Sequence, residues 1–342
     1  MKILNHRTIK NAVFGAALIA APAAALSSCD NFNEDLEPCP QGVELRFVYD
    51  YNMEFANAFP SQVECLTVFV HDRDGKCISS HTETSPVLRD ENWRMTLDLP
   101  AGEYSFVVYG GTACDNASFS YTDRPVAGSH ITQHGIQLKP GLLTSPEGNP
   151  LHPLFYGRLE NVIVSDEDTR RVAATVYMLK DTNNIRILLQ NVDGTPVAAS
   201  DYIFTITDNN TVLNWKNEIV IQSDPAVYYP WEKGDIHADS NQLAQGGIAA
   251  YAEFDTSRLT PGRSATLSVI RASDGSNVLS IPLINYLLML KSEHFANMGN
   301  QEYLDRESRW NMIFFIGPDT TWIKTSIIIN DWVVRINDIP GF

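Results

Sequence analysis

The chain has 342 residues, 44% of them hydrophobic, and a net charge of −16. So acidic a surface repels phosphate backbones, which argues against nucleic acid as a partner. The length suits two domains of roughly 150 residues each.

Residues 1–28 read as a lipoprotein signal. Lys2, Arg7 and Lys10 make a basic start, Ala12 to Ala25 is apolar, and Leu26-Ser27-Ser28 sets small residues before Cys29. Signal peptidases require small side chains beside the scissile bond. An ordinary cleaved signal also ends in small residues; the cysteine at the junction distinguishes this one, because its thiol can take a diacylglycerol. The apolar run is roughly half of the ~20 residues that span a bilayer, and its removal leaves no spanning helix. A diacylglycerol plus an N-terminal acyl chain such as palmitate anchors stably, at about 0.8 kcal/mol per buried methylene. The expected membrane partner is therefore the lipid bilayer, reached through acylated Cys29. Loss of the three basic leader residues makes the remainder more acidic still.

Residues 29–40 carry Asp30, Glu34, Asp35, Glu37 and two prolines, and read as an acidic tether. Acidic residues directly after a lipidated cysteine go, in some outer-membrane systems, with export to the outer face. The expected location is the outer membrane, facing the exterior.

Strands follow. Val43, Leu45, Phe47 and Tyr49 alternate with smaller or polar residues. Leu66, Val68 and Val70 do the same, and Asp74-Gly75 then signals a hairpin turn. Trp93, Met95, Leu97 and Leu99 alternate, Pro100-Ala101-Gly102 turns, and Tyr104 to Tyr109 is a further strand. In the second half Val172–Met178, Ile185–Leu189, Tyr202–Thr207, Thr266–Arg271 and Thr325–Arg335 read as strands, with hairpin turns at Asp193-Gly194 and Asp274-Gly275. Short strands at this spacing predict β-sandwiches. Leu259-Thr260-Pro261-Gly262 before a strand echoes Leu99 to Gly102 before a strand, which predicts two copies of one topology. The polar run Ser165–Asp168 sets the expected division, giving domains at 41–162 and 163–342. Tyr51–Ala58, Pro282–Leu290 and Gln301–Arg306 are predicted helical.

Beyond Cys29 there are Cys39, Cys65, Cys77 and Cys114, which allow three pairings. The Asp74-Gly75 turn would set Arg73 opposite Lys76 and hence Cys65 opposite Thr84, which disfavours a Cys65–Cys77 bridge. One or two disulfides fit an oxidising compartment; buried free thiols are the alternative. The spacings lack the close pairs of a zinc site.

No serine-nucleophile elbow, phosphate-cradling loop or paired metalloprotease histidines occur. His130 and His134 are four apart, but in a strand or loop context that makes them surface residues. Asp72-Arg73-Asp74-Gly75 reads as a turn rather than a calcium loop, because Lys76 stands where an oxygen ligand is needed. No catalytic residue, metal or cofactor is expected.

The string CPQGVELRFVYDYNMEFANAF from Cys39 closely resembles the opening of the anchoring subunits of minor, or type V, fimbriae of Gram-negative gut and oral anaerobes. The resemblance continues with LPAGEYSFVVYGG at Leu99, LFYG at Leu154, QEYLDRE at Gln301 and INDWVVR at Ile329. It implies an all-β chain of two tandem transthyretin-like sandwiches, lipid-anchored, that holds the base of a fimbrium on the cell and limits its length. It further implies a fimbrial shaft subunit as partner, joined by strand exchange. Shaft subunits of such fimbriae are trimmed by an arginine-specific protease that removes their first strand. Here no Lys or Arg lies between Cys29 and Leu45; the first is Arg46, in a predicted core strand. That favours an uncut anchor, with Thr325–Phe342 as a candidate donor segment. The alternatives are a shaft or tip adhesin subunit of the same assembly, or a surface glycan-binding lipoprotein.

Overall fold

The computed structural model describes residues 41–143, 148–167, 170–237, 248–289, 291, 295–317, 322–329 and 332–335. The signal, the tether, Cys29 and Cys39 lie outside the described residues. In chain order the first half carries β1 Val43–Val48, α1 Phe59–Gln62, β2 Leu66–Asp72, β3 Cys77–Glu83, β4 Met95–Leu97, β5 Gly102–Gly110, β6 Phe119–Tyr121, β7 Gly135–Leu138, β8 Phe155–Val164 and β9 Val172–Lys180. The second carries β10 Asn183–Asn191, β11 Tyr202–Asp208, β12 Val212–Asn214, β13 Ala226–Tyr228, β14 Glu232–His237, β15 Ile248–Thr256 and β16 Thr266–Arg271. After these come β17 Asn277–Pro282, α2 Leu283–Met289, α3 Asn300–Arg306, β18 Arg309–Ile316, β19 Trp322–Ile329 and β20 Trp332–Arg335.

The fold is all-β, and the two halves repeat one pairing scheme. The order β3-β2-β5-β8 in the first half is matched by β13-β11-β16-β17 in the second, antiparallel throughout. The facing set β9-β1-β4 is matched by β18-β10-β15. In each set the outer pair is parallel, β1 with β9 and β10 with β18, and the other is antiparallel. A parallel pair cannot be joined by a tight turn, so each sandwich must be closed by strands distant in sequence. In the first half the sheets also join directly, Phe155–Gly157 of β8 pairing with Lys180–Met178 of β9.

Side chains of Leu45 and Phe47 on β1, Val68 and Val70 on β2, Phe106 and Val108 on β5 and Val176 on β9 fill the first core. β2 is buried on both faces. Its opposite face, with Phe69 beside Val107, Tyr109 and Tyr156, joins a second core. That core includes β6, β7 and β12, which form a small sheet of their own, and the interior of the second sandwich around Phe204, Phe254 and Trp310. One apolar interior therefore runs from the first half into the second.

Several expectations need correction. The division at 162/163 falls within β8, and β9 belongs to the first sheet, so we place the division after Lys180. Tyr51–Ala58 is a turn, not a helix. The Asn52 side chain donates to the Tyr49 and Ala56 carbonyls and accepts from the Glu54 amide, competing with helical bonds. Phe55 takes a φ of 53°, and the helix starts only at Phe59. Asp193-Gly194 is a turn, but it joins β10 to β11, which lie in different sheets, so it closes no hairpin. Asp274-Gly275 does close one, between β16 and β17.

Candidate functional site

The first basic residue after Cys29, Arg46, lies on β1, where the strand pairs with β9 at Thr175. Its side chain is exposed, but Leu45 and Phe47 on either side are buried. The Phe47 ring lies between those of Phe59 at 5.6 Å and Trp93 at 5.7 Å. A protease needs its target bond extended and unpaired in its cleft. Presenting Arg46 would strip β1 from the sheet and expose both neighbours, at about 1.5–3 kcal/mol each.

At the other end of the chain β19 pairs antiparallel with β18, from Asn311 opposite Ile328 to Ile316 opposite Trp322. β20 pairs with β19 at the sheet edge. Here the duplication breaks. The equivalent strand of the first half, β9, is closed off by β8, whereas the outer edge of β18 is filled by this C-terminal hairpin. Thr325–Arg335 is thus paired within its own chain through the described residues.

Between the halves lies a buried ionic group that no local sequence signal marked. Asp181, in the β9–β10 connection, is fully buried; its Oδ1 accepts from Asn217 Nδ2 at 2.8 Å and lies 3.7 Å from Arg258 Nε. Arg258, just after β15, grips Asp305 of α3 with Nε at 2.9 Å and Nη2 at 2.7 Å, and also donates to the Asn217 carbonyl. Gln301 Nε2 donates to Asp305 Oδ1 at 2.8 Å. Burial pushes the Asp181 carboxyl up to about 7, against the opposing pull of Arg258. Four separate segments are tied together by this group.

The structure joins Cys65 to Cys114 and leaves Cys77 free and buried, its thiol pKa raised by that burial. The register Leu66 opposite Glu83 is the one the Asp74-Gly75 turn predicted. The turn itself is one residue longer, Asp72 pairing with Lys76, and a bulge near Val70 restores the alignment. Asp72 Oδ1 accepts from the amides of Asp74 and Lys76, each at 2.9 Å, so this carboxylate shapes the turn. His130 caps a short 3-10 turn at the surface. His134, expected there too, is buried, with Nε2 3.0 Å from Ser129 Oγ and Nδ1 3.1 Å from the Asp123 carbonyl.

Gly111 holds the disulfide region against the segment before β8. Its amide donates to the Cys65 carbonyl at 3.1 Å, its φ is +95°, and a Cβ there would sit 2.0 Å from the Pro153 oxygen. Gly111→Ala is expected to lower stability by at least roughly 1–3 kcal/mol from the backbone strain alone, with the clash in addition. Chemical denaturation of the variant checks this.

Among the described residues no catalytic constellation is assembled, and no helix is long and apolar enough to cross a membrane. What the geometry defines is a tandem β-sandwich protein. The model of the family described as fimbrillin-A associated anchor proteins Mfa1 and Mfa2 matches residues 36–338, and the chain belongs to that family. The minor fimbrium anchoring subunit Mfa2 of Porphyromonas gingivalis is 21% identical over 340 residues, which cover 98% of each sequence. A Bacteroides thetaiotaomicron protein described as a candidate adhesin is 46% identical, with a TM-score of 0.81 over 89% of this chain and all of its own. The crystal structure of the P. gingivalis fimbrial anchor protein Mfa2 superposes with a TM-score of 0.65 over 87% of this chain and 99% of its own. At 18% identity it supports the fold alone.

Proposed function

We propose that this chain is a cell-surface lipoprotein that anchors the base of a fimbrium to the outer membrane and limits the length of the fimbrium. Acylated Cys29 holds the bilayer, the acidic tether spans the gap, and the two sandwiches pass the hold to the first shaft subunit by strand exchange. The observation that carries this reading is the stretch from Cys29 to Leu45 without a Lys or Arg, followed by Arg46 within the paired strand β1. A subunit that an arginine-specific protease cannot trim keeps its lipid and its first strand. It stays attached to the membrane and offers no emptied groove at its base, so it ends the polymer.

A cleavage site placed in the tether reverses this. Leu36→Arg is expected to make the surface protein sensitive to an arginine-specific protease and to release fimbriae, whereas Leu36→Gln leaves them in place. Protease sensitivity equal in the two variants contradicts the reading.

The C-terminal edge of this sheet, at β20, is the site of exchange in this proposal, with the segment after β20 as donor. Deleting Ile339–Phe342 is expected to weaken fimbrial attachment, measured by fimbriae retained on cells. Unchanged attachment contradicts the donor role. The second reading, an adhesive shaft or tip subunit, is favoured by the description given to the 46% identical relative. N-terminal trimming of the mature surface form would support it.

A further inference from the structure

We propose that reduction of the Cys65–Cys114 bridge creates a zinc site made by both thiolates, His152 Nε2 and the Glu64 carboxylate. Cys65 and Glu64 directly precede β2, Cys114 lies in the loop after β5, and His152 lies just before β8. His152 is buried, and its backbone amide donates to Ser118 Oγ at 2.8 Å. Its Nδ1 lies 3.2 Å from the Pro153 carbonyl oxygen. A carbonyl only accepts, so Nδ1 carries the ring proton and Nε2 presents its lone pair. A backbone carbonyl that fixes the tautomer in this way is the usual support of a metal-binding imidazole. Gly111 permits the arrangement, because any side chain there would displace the Pro153 carbonyl.

The Nε2 lone pair faces Glu64 Oε2 at 3.4 Å. Two acceptors so placed need a proton or a cation between them. The separation matches two ligands bound about 2.0–2.1 Å from a tetrahedral zinc, which lie about 3.4 Å apart. Cys114 Sγ, the nearest Glu64 oxygen and a His152 ring nitrogen lie within 4.8 Å of one another. Cys65 Sγ is bonded to Cys114 Sγ, so the fourth donor adjoins this group of three and needs only to turn towards it once the bridge is open. Clefts of about 480 and 510 Å³ open there, both lined by Glu64 and Asn116, and give an ion a way in.

The bridge keeps this site silent, since metal binding to cysteine requires the thiolate. Two molecules of a low-mass thiol supply two electrons. The sulfur–sulfur bond breaks, each protein sulfur takes a proton, and the reductant leaves as its own disulfide. A borderline-soft divalent cation then displaces both thiol protons to solvent. The metal replaces the covalent link between the start of β2 and the loop after β5.

The test uses the full-length chain in detergent, with zinc alone as the probe, titrated against a chromophoric chelator before and after reduction by a phosphine that is then removed. Cobalt serves as the spectroscopic substitute. Reduction is expected to raise zinc affinity at least a hundredfold at one equivalent, and cobalt to show a sulfur-to-metal charge-transfer band. His152→Gln and Glu64→Gln both leave the bridge intact during folding, and each is expected to weaken binding to the reduced chain at least tenfold. Zinc affinity unchanged by reduction, or reduced-state affinity unaffected by His152→Gln, overturns the proposal.

Discussion

Replacing Cys29 by alanine is expected to move the chain from the membrane fraction to the soluble fraction and to shed fimbriae into the medium. The effect should be close to all-or-none. A single fatty chain gives only marginal, reversible membrane binding, while two or more give stable anchoring. Alanine removes the only thiol at the junction, so the diacylglycerol has no attachment point and the later acyl chain is not added either. Among the described residues no helix is long and apolar enough to cross a membrane. The strong negative charge also disfavours adsorption to anionic lipid. The variant should still fold, since every described strand of the sandwiches begins at Val43 or later, and it should retain the Cys65–Cys114 bridge. Fimbriae that remain on such cells at normal length would count against the anchor role.

Arg258→Ala is the substitution in the body expected to cost most. Arg258 is the only cation within reach of Asp181 and Asp305 among the interactions described, and both carboxylates are buried. Removing one partner of a buried ion pair leaves uncompensated charge in a poorly polarisable interior, which costs about 3–5 kcal/mol. Unfolding by denaturant should show a loss of that size, and a loss below about 1 kcal/mol would contradict the account. Asp181→Asn should behave in the opposite sense. Burial raises its carboxyl pKa to about 7, above the ordinary 3.8, so the folded chain holds that proton more tightly than the unfolded chain. Its contribution to stability is therefore full below pH ~4 and is lost as the pH rises towards 7. An asparagine can still accept the Asn217 bond and has no charge to bury. The stability of the wild type relative to this variant should fall between pH 4 and 7 and level off above.

Alternating apolar residues located the strands whose one face meets a core, as in β1, β4, β11 and β16. They missed β14 and β15 for different reasons. β14, Glu-Lys-Gly-Asp-Ile-His, is a mostly exposed strand with one apolar residue to mark it. β15 is rich in alanine, which strands generally avoid, yet Ala249, Ala250 and Ala252 are fully buried. Only the tertiary environment makes that segment a strand. The Asp-Gly pairs marked chain reversals correctly, but local chemistry does not specify which strands pair afterwards. At Asp193-Gly194 the chain changes sheets, and at Asp274-Gly275 it returns beside itself. The echo between Leu99–Gly102 and Leu259–Gly262 identified the duplication because both precede equivalent strands, β5 and β16.

The division between the halves was misplaced for a similar reason. Ser165 directly follows β8, and Asp166 and Glu167 are exposed, so the polarity there marks the end of a strand and not of a domain. Asp181, Arg258 and Asp305 are far apart in sequence and carry no spacing that links them; their meeting is a product of topology alone. Glu64 and His152 were likewise unmarked, and the absence of close cysteine pairs concealed a cluster whose cysteines, 49 residues apart, are brought together by the pairing of β2 with β5.

The central claim is that lipid at a new amino end, on a chain that is never cut, holds a polymer to the cell. The intact mass of the protein taken from native outer membranes tests it most directly. The account predicts a chain beginning at Cys29 and carrying a diacylglycerol and an amide-linked fatty acid. A chain that begins unacylated, or that begins downstream of residue 29, would contradict it.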